Sequence, residues 1–256
     1  MMRRKPISRE RRATAGEPLI EVKNLSKSFR DHCVLNGISF TVHAGETLGI
    51  IGPSGCGKST ILKLICGLIT PDAGEIIVHS KELGLVFQGS ALLNSLTVRE
   101  NLGLALKSRR LKIAEEEKII AEKLQLVGLS DYMYAFPTQL SGGQQKRTSF
   151  ARAIVTDPKI ILYDEPTTGL DPVMSTVIED YINDMSKQFN PASIVVTHQS
   201  STWRRTVDRI ILLHAGHLQW EGNAEEALTS DNPYMKQFAH GSREGPMLEI
   251  EIDDDE

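Results

Sequence analysis

Nine consecutive residues, Gly52-Pro53-Ser54-Gly55-Cys56-Gly57-Lys58-Ser59-Thr60, carry the pattern G-x-x-x-x-G-K-[ST] directly after an apolar run. Such a loop suits the phosphates of a nucleotide. Its glycines let the backbone wrap with N–H groups turned inward, and a helix opening at its end favours negative charge. Lys58 can reach the β- and γ-phosphates, and the Ser59 hydroxyl can ligate Mg²⁺. A second apolar run, 160–163, delivers Asp164 and Glu165 at its C-terminal end, where ligands sit in open α/β sheets. The two acids divide the work: Asp164 is expected to hold the metal, and Glu165 to orient and deprotonate an attacking water. Cys56 lies among inward-facing amides beside Lys58 and a helix N-terminus, which predicts a lowered thiol pKa. A third motif, Leu140-Ser141-Gly142-Gly143-Gln144, offers a capping serine and two glycines that open a helix N-terminus to an incoming phosphate.

These residues need a scaffold that brings strand ends together. Apolar runs bounded by turn residues alternate with helical patterns, which predicts a mainly parallel sheet covered by helices. Residues 19–22 and 38–42 read as edge strands with polar alternation, and 47–51 as a buried strand running into glycine. A helix is expected from near Gly57 to about Cys66, and short strands at 76–78 and 85–87. The pattern then becomes helical from Val98 to about Val127, with Glu115, Glu116, Glu117 and Lys118 on a wet face, which reads as an inserted helical subdomain. Another helix begins after Ser141. The runs 160–163 and 193–197 are continuously apolar, as strands covered on both faces must be.

Composition narrows the class. The 256 residues are 40% apolar, enough for a sizeable core, and the net charge of −4 with a pI near 6.0 argues against nucleic acid as a partner. Cys33, Cys56 and Cys66 form neither a paired framework nor a metal-ligand spacing, which points to a reducing compartment. No window reaches the ~18 consecutive apolar residues of a spanning helix. The start carries Arg3, Arg4, Lys5, Arg9, Arg11 and Arg12 against Glu10 and reads as a flexible basic arm, with an organelle-targeting remnant or a contact with anionic lipid as the alternative; the end, with Asp253, Asp254 and Asp255, reads as a solvated acidic tail.

The 140–144 motif, continued by Gln145-Lys146-Arg147 and Ala151-Arg152-Ala153, resembles the signature of the ABC transporter ATPases, and the resemblance covers about residues 19–228. It implies an α/β fold of the phosphate-loop NTPase type: a mainly parallel core with an antiparallel β subdomain and a helical subdomain at about 89–155. The domain expectation is an arm at 1–17, a nucleotide-binding domain at 18–240 and a tail at 241–256. The resemblance also implies a head-to-tail homodimer that sandwiches two ATP molecules between the phosphate loop of one copy and Ser141, Gly143 and Gln144 of the other. Gln88 matches the glutamine that contacts Mg²⁺ and senses the membrane subunit. His198 matches the histidine that contacts the γ-phosphate, Asp171 an aspartate of the dimer-facing loop, and Phe29 the aromatic that stacks on adenine.

Residues 86–101 and 163–173 are more particular. The first of these, and Asn232-Pro233-Tyr234, Gln237-Phe238 and Gly245-Pro246 near the end, are similar to the Mla/Mkl-type phospholipid-trafficking ATPases, cyanobacterial and chloroplast relatives included. That likeness implies a multi-spanning permease, an MCE-domain lipid-binding protein, and a place on the cytoplasmic face of the inner or plasma membrane, or the stromal face in a plastid. Leu92, Leu93 and Leu96 would then form a socket for the permease. Import of amino acids or metals, or a non-transport ABC role, is the alternative. One departure from the family stands out: Gly74 to Gln88 spans only 15 residues, so a peripheral loop is expected to be missing while the chemistry survives.

Overall fold

The computed structural model describes residues 16–30 and 32–247. The basic arm, up to residue 15, and the acidic tail from 248 onward lie outside the described residues.

Two sheets form the frame. The first is antiparallel with strand order β2-β1-β4, from β1 (Pro18–Phe29), β2 (His32–His43) and β4 (Ala73–Val78). The second has order β5-β6-β7-β3-β8-β9, from β3 (Thr47–Ile51), β5 (Leu83–Val86), β6 (Ile160–Asp164), β7 (Ala192–Thr197), β8 (Arg209–His214) and β9 (His217–Asn223). Neighbours from β5 through β8 run parallel, and β9 closes the edge antiparallel to β8. The helices are α1 (Lys58–Ile65), α2 (Val98–Leu106), α3 (Ile113–Leu126), α4 (Gly142–Ile154), α5 (Pro172–Phe189), α6 (Ser200–Thr206), α7 (Ala224–Thr229) and α8 (Pro233–His240).

The continuous apolar strands are explained by cores on both faces of the larger sheet. Ile161, Tyr163 and Val195 point into a cluster with residues of α2 to α6 and α8, while Ile160, Leu162, Ile194 and Val196 point into a cluster shared with α1 and the antiparallel sheet. Side chains alternate faces along a strand, so burying both faces removes the polar alternation. The site-bearing strands β3, β6 and β7 are buried along almost their whole length, which makes their C-terminal ends a rigid platform.

Several sequence expectations are corrected. Residues 19–22 belong to the central strand of the antiparallel sheet rather than to an edge, and β1 and β2 are each 12 residues long. Register shifts after Val22 break the alternation on which the shorter estimate rested. The single helical run from 98 to 127 divides into α2 and α3, because Arg110 adopts a left-handed backbone with φ 50°. Of the wet face, Glu115 and Lys118 are exposed, but Glu116 and Glu117 are half-buried and pair with Arg99 at 3.4 and 3.1 Å. Strand β5 ends at Val86, so Phe87 is outside it.

The short 74–88 stretch leaves only residues 79–82 between β4 and β5, with His79 Nε2 2.8 Å from Glu21 Oε1. Pairing of Val86 with Tyr163 keeps Gln88 beside the end of β6.

Candidate active site

The phosphate loop leaves β3 and enters α1, and its glycines do different jobs. A Cβ on Gly52 would lie 2.2 Å from Leu213 O, and one on Gly57 would lie 2.8 Å from Leu35, so both permit close packing beneath the loop. Gly55, with φ 81°, has nothing within 4 Å of that position, which leaves the crest of the loop open to a ligand. Lys58 is 6% exposed and donates to Gly52 O and Pro53 O, both at 2.8 Å. Its ammonium is thereby held inside the loop where phosphate charge would sit. Ser54 is exposed at the crest, and Ser59 and Thr60 are half-buried in the first turn of α1.

Ser59 Oγ donates to Asp164 Oδ1 at 2.7 Å, joining α1 to the end of β6. Burial pushes the Asp164 carboxyl up from its ordinary value, partly offset by the Ser59 hydrogen bond. A hydroxyl beside one carboxylate is a hard-oxygen donor set that fits Mg²⁺, which binds through one or two carboxylates, waters and substrate phosphates. No group of three or more His, Cys, Asp or Glu side chains that could hold a metal ion occurs among the described residues.

Glu165 has φ 47°, an uncommon backbone for a non-glycine residue, and is 6% exposed. Its amide N–H donates to Val196 O at 2.9 Å, which anchors the turn to β7. Thr168 Oγ1 and Thr197 Oγ1 donate to Glu165 Oε2 at 3.1 and 3.3 Å, while His198 Nδ1 lies 2.8 Å and Lys58 Nζ 4.0 Å from Oε1. The carboxylate is thus buried but surrounded, with one oxygen between a cation and an imidazole. An oriented carboxylate of this kind can accept a proton from water.

Gln88 is exposed at the end of β5, and its carbonyl accepts from Lys146 of α4. The loop after it is gripped from α4 as well: Arg152 donates to Ala91 O at 2.7 Å and to Ser90 O at 3.3 Å, and Ser90 Oγ donates to Gln145 Oε1 at 3.3 Å. Residues 88–91 therefore ride on the signature helix. Burial lowers the Lys146 ammonium pKa, while the charges of Asp164 and Glu165 push it back up.

Ser141 caps α4, accepting from Gln144 N at 3.3 Å, and Gln144 Oε1 accepts from Ser141 N at 2.8 Å in a capping box. A Cβ on Gly143 would lie 2.9 Å from Met174 Cε, so the start of α4 abuts the start of α5. Asp171 caps α5 through Val173 N and Met174 N at 2.9 and 3.0 Å. None of Ser141, Gly143 and Gln144 bonds to the loop at 52–60 among the described residues. The chain unites Lys58, Ser59, Asp164, Glu165 and His198 at one strand edge and keeps the signature as a separate, outward-facing feature. Phe29 ends β1 at 47% exposure with Lys27 Nζ 5.5 Å from its ring centroid, a surface aromatic rather than a core one.

Cys56 departs from expectation. It is 9% exposed, and burial raises its thiol pKa despite the opposing pull of Lys58 and backbone N–H groups. Desolvation of the thiolate outweighs one nearby cation. Thr168 and Thr197, which hold Glu165, and Lys146 and Arg152, which hold the 88–91 loop, were not assigned from sequence. A threonine closing an apolar strand immediately before His198 was the available signal.

A phosphate loop, a hydrogen-bonded Ser59–Asp164 pair and a buried carboxylate beside a histidine at the C-terminal ends of parallel strands are the arrangement of an ATP-hydrolysing cassette. Residues 35–168 match the ABC transporter family, and the chain belongs to that family. It is 42% identical over 261 residues, 90% of this chain and 75% of the other, to Protein TRIGALACTOSYLDIACYLGLYCEROL 3, chloroplastic, of Arabidopsis thaliana. It is 39% identical over 256 residues, 93% of this chain and 71% of the other, to the probable ribonucleotide transport ATP-binding protein mkl of Mycobacterium tuberculosis. Among solved structures, the dimeric post-hydrolysis state of the ATP-binding cassette MJ0796 bound to ADP and Pi aligns with a TM-score of 0.74 at 30% identity, covering 80% of this chain and 98% of that one. The chain is an ABC ATPase that binds and hydrolyses nucleotide. No helix among the described residues is long and apolar enough to cross a membrane.

Proposed function

We propose that this chain energises movement of phospholipid or a related lipid through a separate permease, working as a homodimer with 18–240 as the cassette. The observation that carries the ATPase mechanism is the Glu165 carboxylate, held by Thr168, Thr197 and His198 and 4.0 Å from Lys58. Lys58 binds the β- and γ-phosphates, and Phe29 stacks on adenine. Ser59, Asp164 and Gln88 would hold Mg²⁺, which neutralises phosphate charge when bound. Glu165 takes the proton of the attacking water, and His198 fixes its orientation and contacts the γ-phosphate. Gly52, Ser54, Gly55, Cys56, Gly57 and Thr60 supply the rest of the loop around the phosphates. Ser141, Gly143 and Gln144 of the second copy close over the nucleotide, with Asp171 at the dimer-facing start of α5.

The lipid cargo is supported by the relative from Arabidopsis, which bears the name of a galactosyl diacylglycerol, and by the likeness of 86–101 to lipid-trafficking ATPases. Leu93 is 49% exposed, and Leu92 and Leu96 are half-buried beside it, a surface suited to an apolar element of the permease. The partner set is then a permease and an MCE-domain protein, with this subunit peripheral on the membrane face that meets ATP.

Affinity purification from native membranes, followed by mass spectrometry of proteins and lipids, tests this. Recovery of a permease, an MCE-domain protein and enriched phospholipid is expected. Recovery of a solute-binding protein for amino acids, metals or ribonucleotides would overturn the cargo while leaving the ATPase assignment intact.

A further inference from the structure

Behind the paired Glu165 and His198 runs a buried polar chain that the mechanism does not use. It begins at Gln199, next to His198, and at Thr167, two residues after Glu165. Thr167 Oγ1 lies 2.9 Å from Gln199 Oε1 and 2.8 Å from Thr202 Oγ1 of α6, and Thr202 Oγ1 is 3.1 Å from Glu179 Oε1 of α5. Arg205 Nε closes the chain on Glu179 Oε2 at 2.7 Å, and Arg205 also reaches Asp180 Oδ1 at 3.1 Å. Thr167, Thr202 and Glu179 are 0%, 0% and 1% exposed.

Proton counting gives the chain a direction. Two hydroxyls carry two protons between three close contacts, so one contact needs a donor from outside the pair. The Gln199 amide supplies it when a half-turn of its terminal group faces the NH₂ toward Thr167. Gln199 then donates to Thr167, Thr167 to Thr202, and Thr202 to the Glu179 carboxylate, which accepts only. The buried carboxylate is charge-balanced by Arg205, as a buried ion must be.

Gln199 and Thr167, the first link of the chain, follow the two groups whose separation matters for chemistry, His198 and Glu165. Gln199 N donates to Thr197 Oγ1 at 3.0 Å, and Thr197 Oγ1 in turn bonds Glu165. The helix that carries Glu179, α5, is capped by Asp171. We propose that the chain Gln199–Thr167–Thr202–Glu179, anchored by Arg205, is a positioning device for hydrolysis: it locks the loop after His198 to the loop after Glu165 and ties both to α5. Thr202 and Glu179 touch no reacting atom; they act through Thr167 and Gln199. The inference rests on the ATPase site described above.

The test compares Thr202→Val, Thr202→Ser, Gln199→Leu and, in parallel, Glu165→Gln in the full chain, measuring kcat at saturating Mg-ATP, Kd for ATP and thermal midpoint. Thr202→Val preserves shape and severs the middle of the chain, while Thr202→Ser keeps the hydroxyl. Gln199 is half-buried, so Gln199→Leu cuts the first link with less disturbance of the packed interior and decides the matter alone where Thr202→Val does not fold. Expected are kcat losses of about 10- to 100-fold in Thr202→Val and Gln199→Leu from displaced reacting groups, with Kd within about twofold and recovery in Thr202→Ser. Wild-type kcat in both severed variants, kcat loss that only tracks the fraction unfolded, or a serine variant as impaired as the valine one would each overturn the proposal. Turnover retained in Glu165→Gln would overturn the underlying site reading instead, which separates the two failures.

Discussion

Replacing Glu165 with Gln removes the proposed base while keeping its volume, and the structure says how the amide will sit. The Oε1 position faces His198 at 2.8 Å and the Lys58 ammonium at 4.0 Å, so an NH₂ there would oppose a cation; the amide oxygen takes that place. The NH₂ then occupies the Oε2 position, where the hydroxyls of Thr168 and Thr197, at 3.1 and 3.3 Å, can rotate to accept from it. Every buried polar group keeps a partner, so the fold loses little. Lys58 retains its bonds to Gly52 O and Pro53 O, so the phosphate loop stays formed and ATP affinity is expected within about threefold of wild type. Loss of general-base catalysis costs about 10²- to 10⁴-fold in turnover, or about 3–5 kcal/mol of barrier. The assay is phosphate release at saturating Mg-ATP, with Kd by titration and sizing chromatography in ATP, where the variant is expected to accumulate as a dimer. Turnover within about threefold of wild type would refute the assignment of the base, and a large loss of affinity with turnover kept would make Glu165 a binding group.

Ser141→Ala removes the capping box of α4; about 1 kcal/mol of stability is expected to go, with turnover falling further than affinity for ATP, read by thermal melts and nucleotide titration. Asp164→Asn tests the raised carboxyl: a folded-state pKa above the unfolded one means ionisation costs stability at neutral pH, so the variant is expected to melt higher than wild type near pH 7, with the gap closing as pH falls through the raised folded-state value toward the ordinary one, while Mg-dependent turnover is lost. Glu46→Ala breaks a nearly buried pair, since Glu46 Oε1 is 2.6 Å from Arg209 Nε at the junction of the two sheets; a cost of about 3 kcal/mol, or about 6–12 °C in melting temperature, is expected by calorimetry. Cys56 is expected to alkylate far more slowly than exposed Cys33 at pH 7.5, measured by peptide mass spectrometry, and equal rates would contradict the burial argument.

Much of the site was legible in the chain because its chemistry is local. The phosphate loop, Ser141 with Gln144, and Asp171 with Pro172 are short-range devices: a loop that must turn at glycine and a cap that must sit beside its helix. The buried strands β6 and β7 were legible because both faces are covered. Cys56 was misread because neighbours in sequence showed Lys58 and the amides but not the apolar packing that excludes water from its thiol.

By itself, the sequence determined which groups are present and the local backbone that presents them: Lys58 and Ser59 on the loop, Asp164 and Glu165 at a strand end, His198 after another. The tertiary structure alone decided their partners. Glu165 meets His198 across 33 residues, Ser59 meets Asp164 across 105, and Arg152 reaches Ala91 across 61, separations that no periodicity encodes. Strand order sets them: placing β7 between β6 and β3 brings three chain-distant strand ends within hydrogen-bonding distance. The same packing threads Gln199, Thr167, Thr202 and Glu179 into one hydrogen-bonded line. A threonine in a sequence does not reveal whether its hydroxyl will face water, a backbone carbonyl or a carboxylate, because the burial that makes that choice costly exists only once the helices have docked.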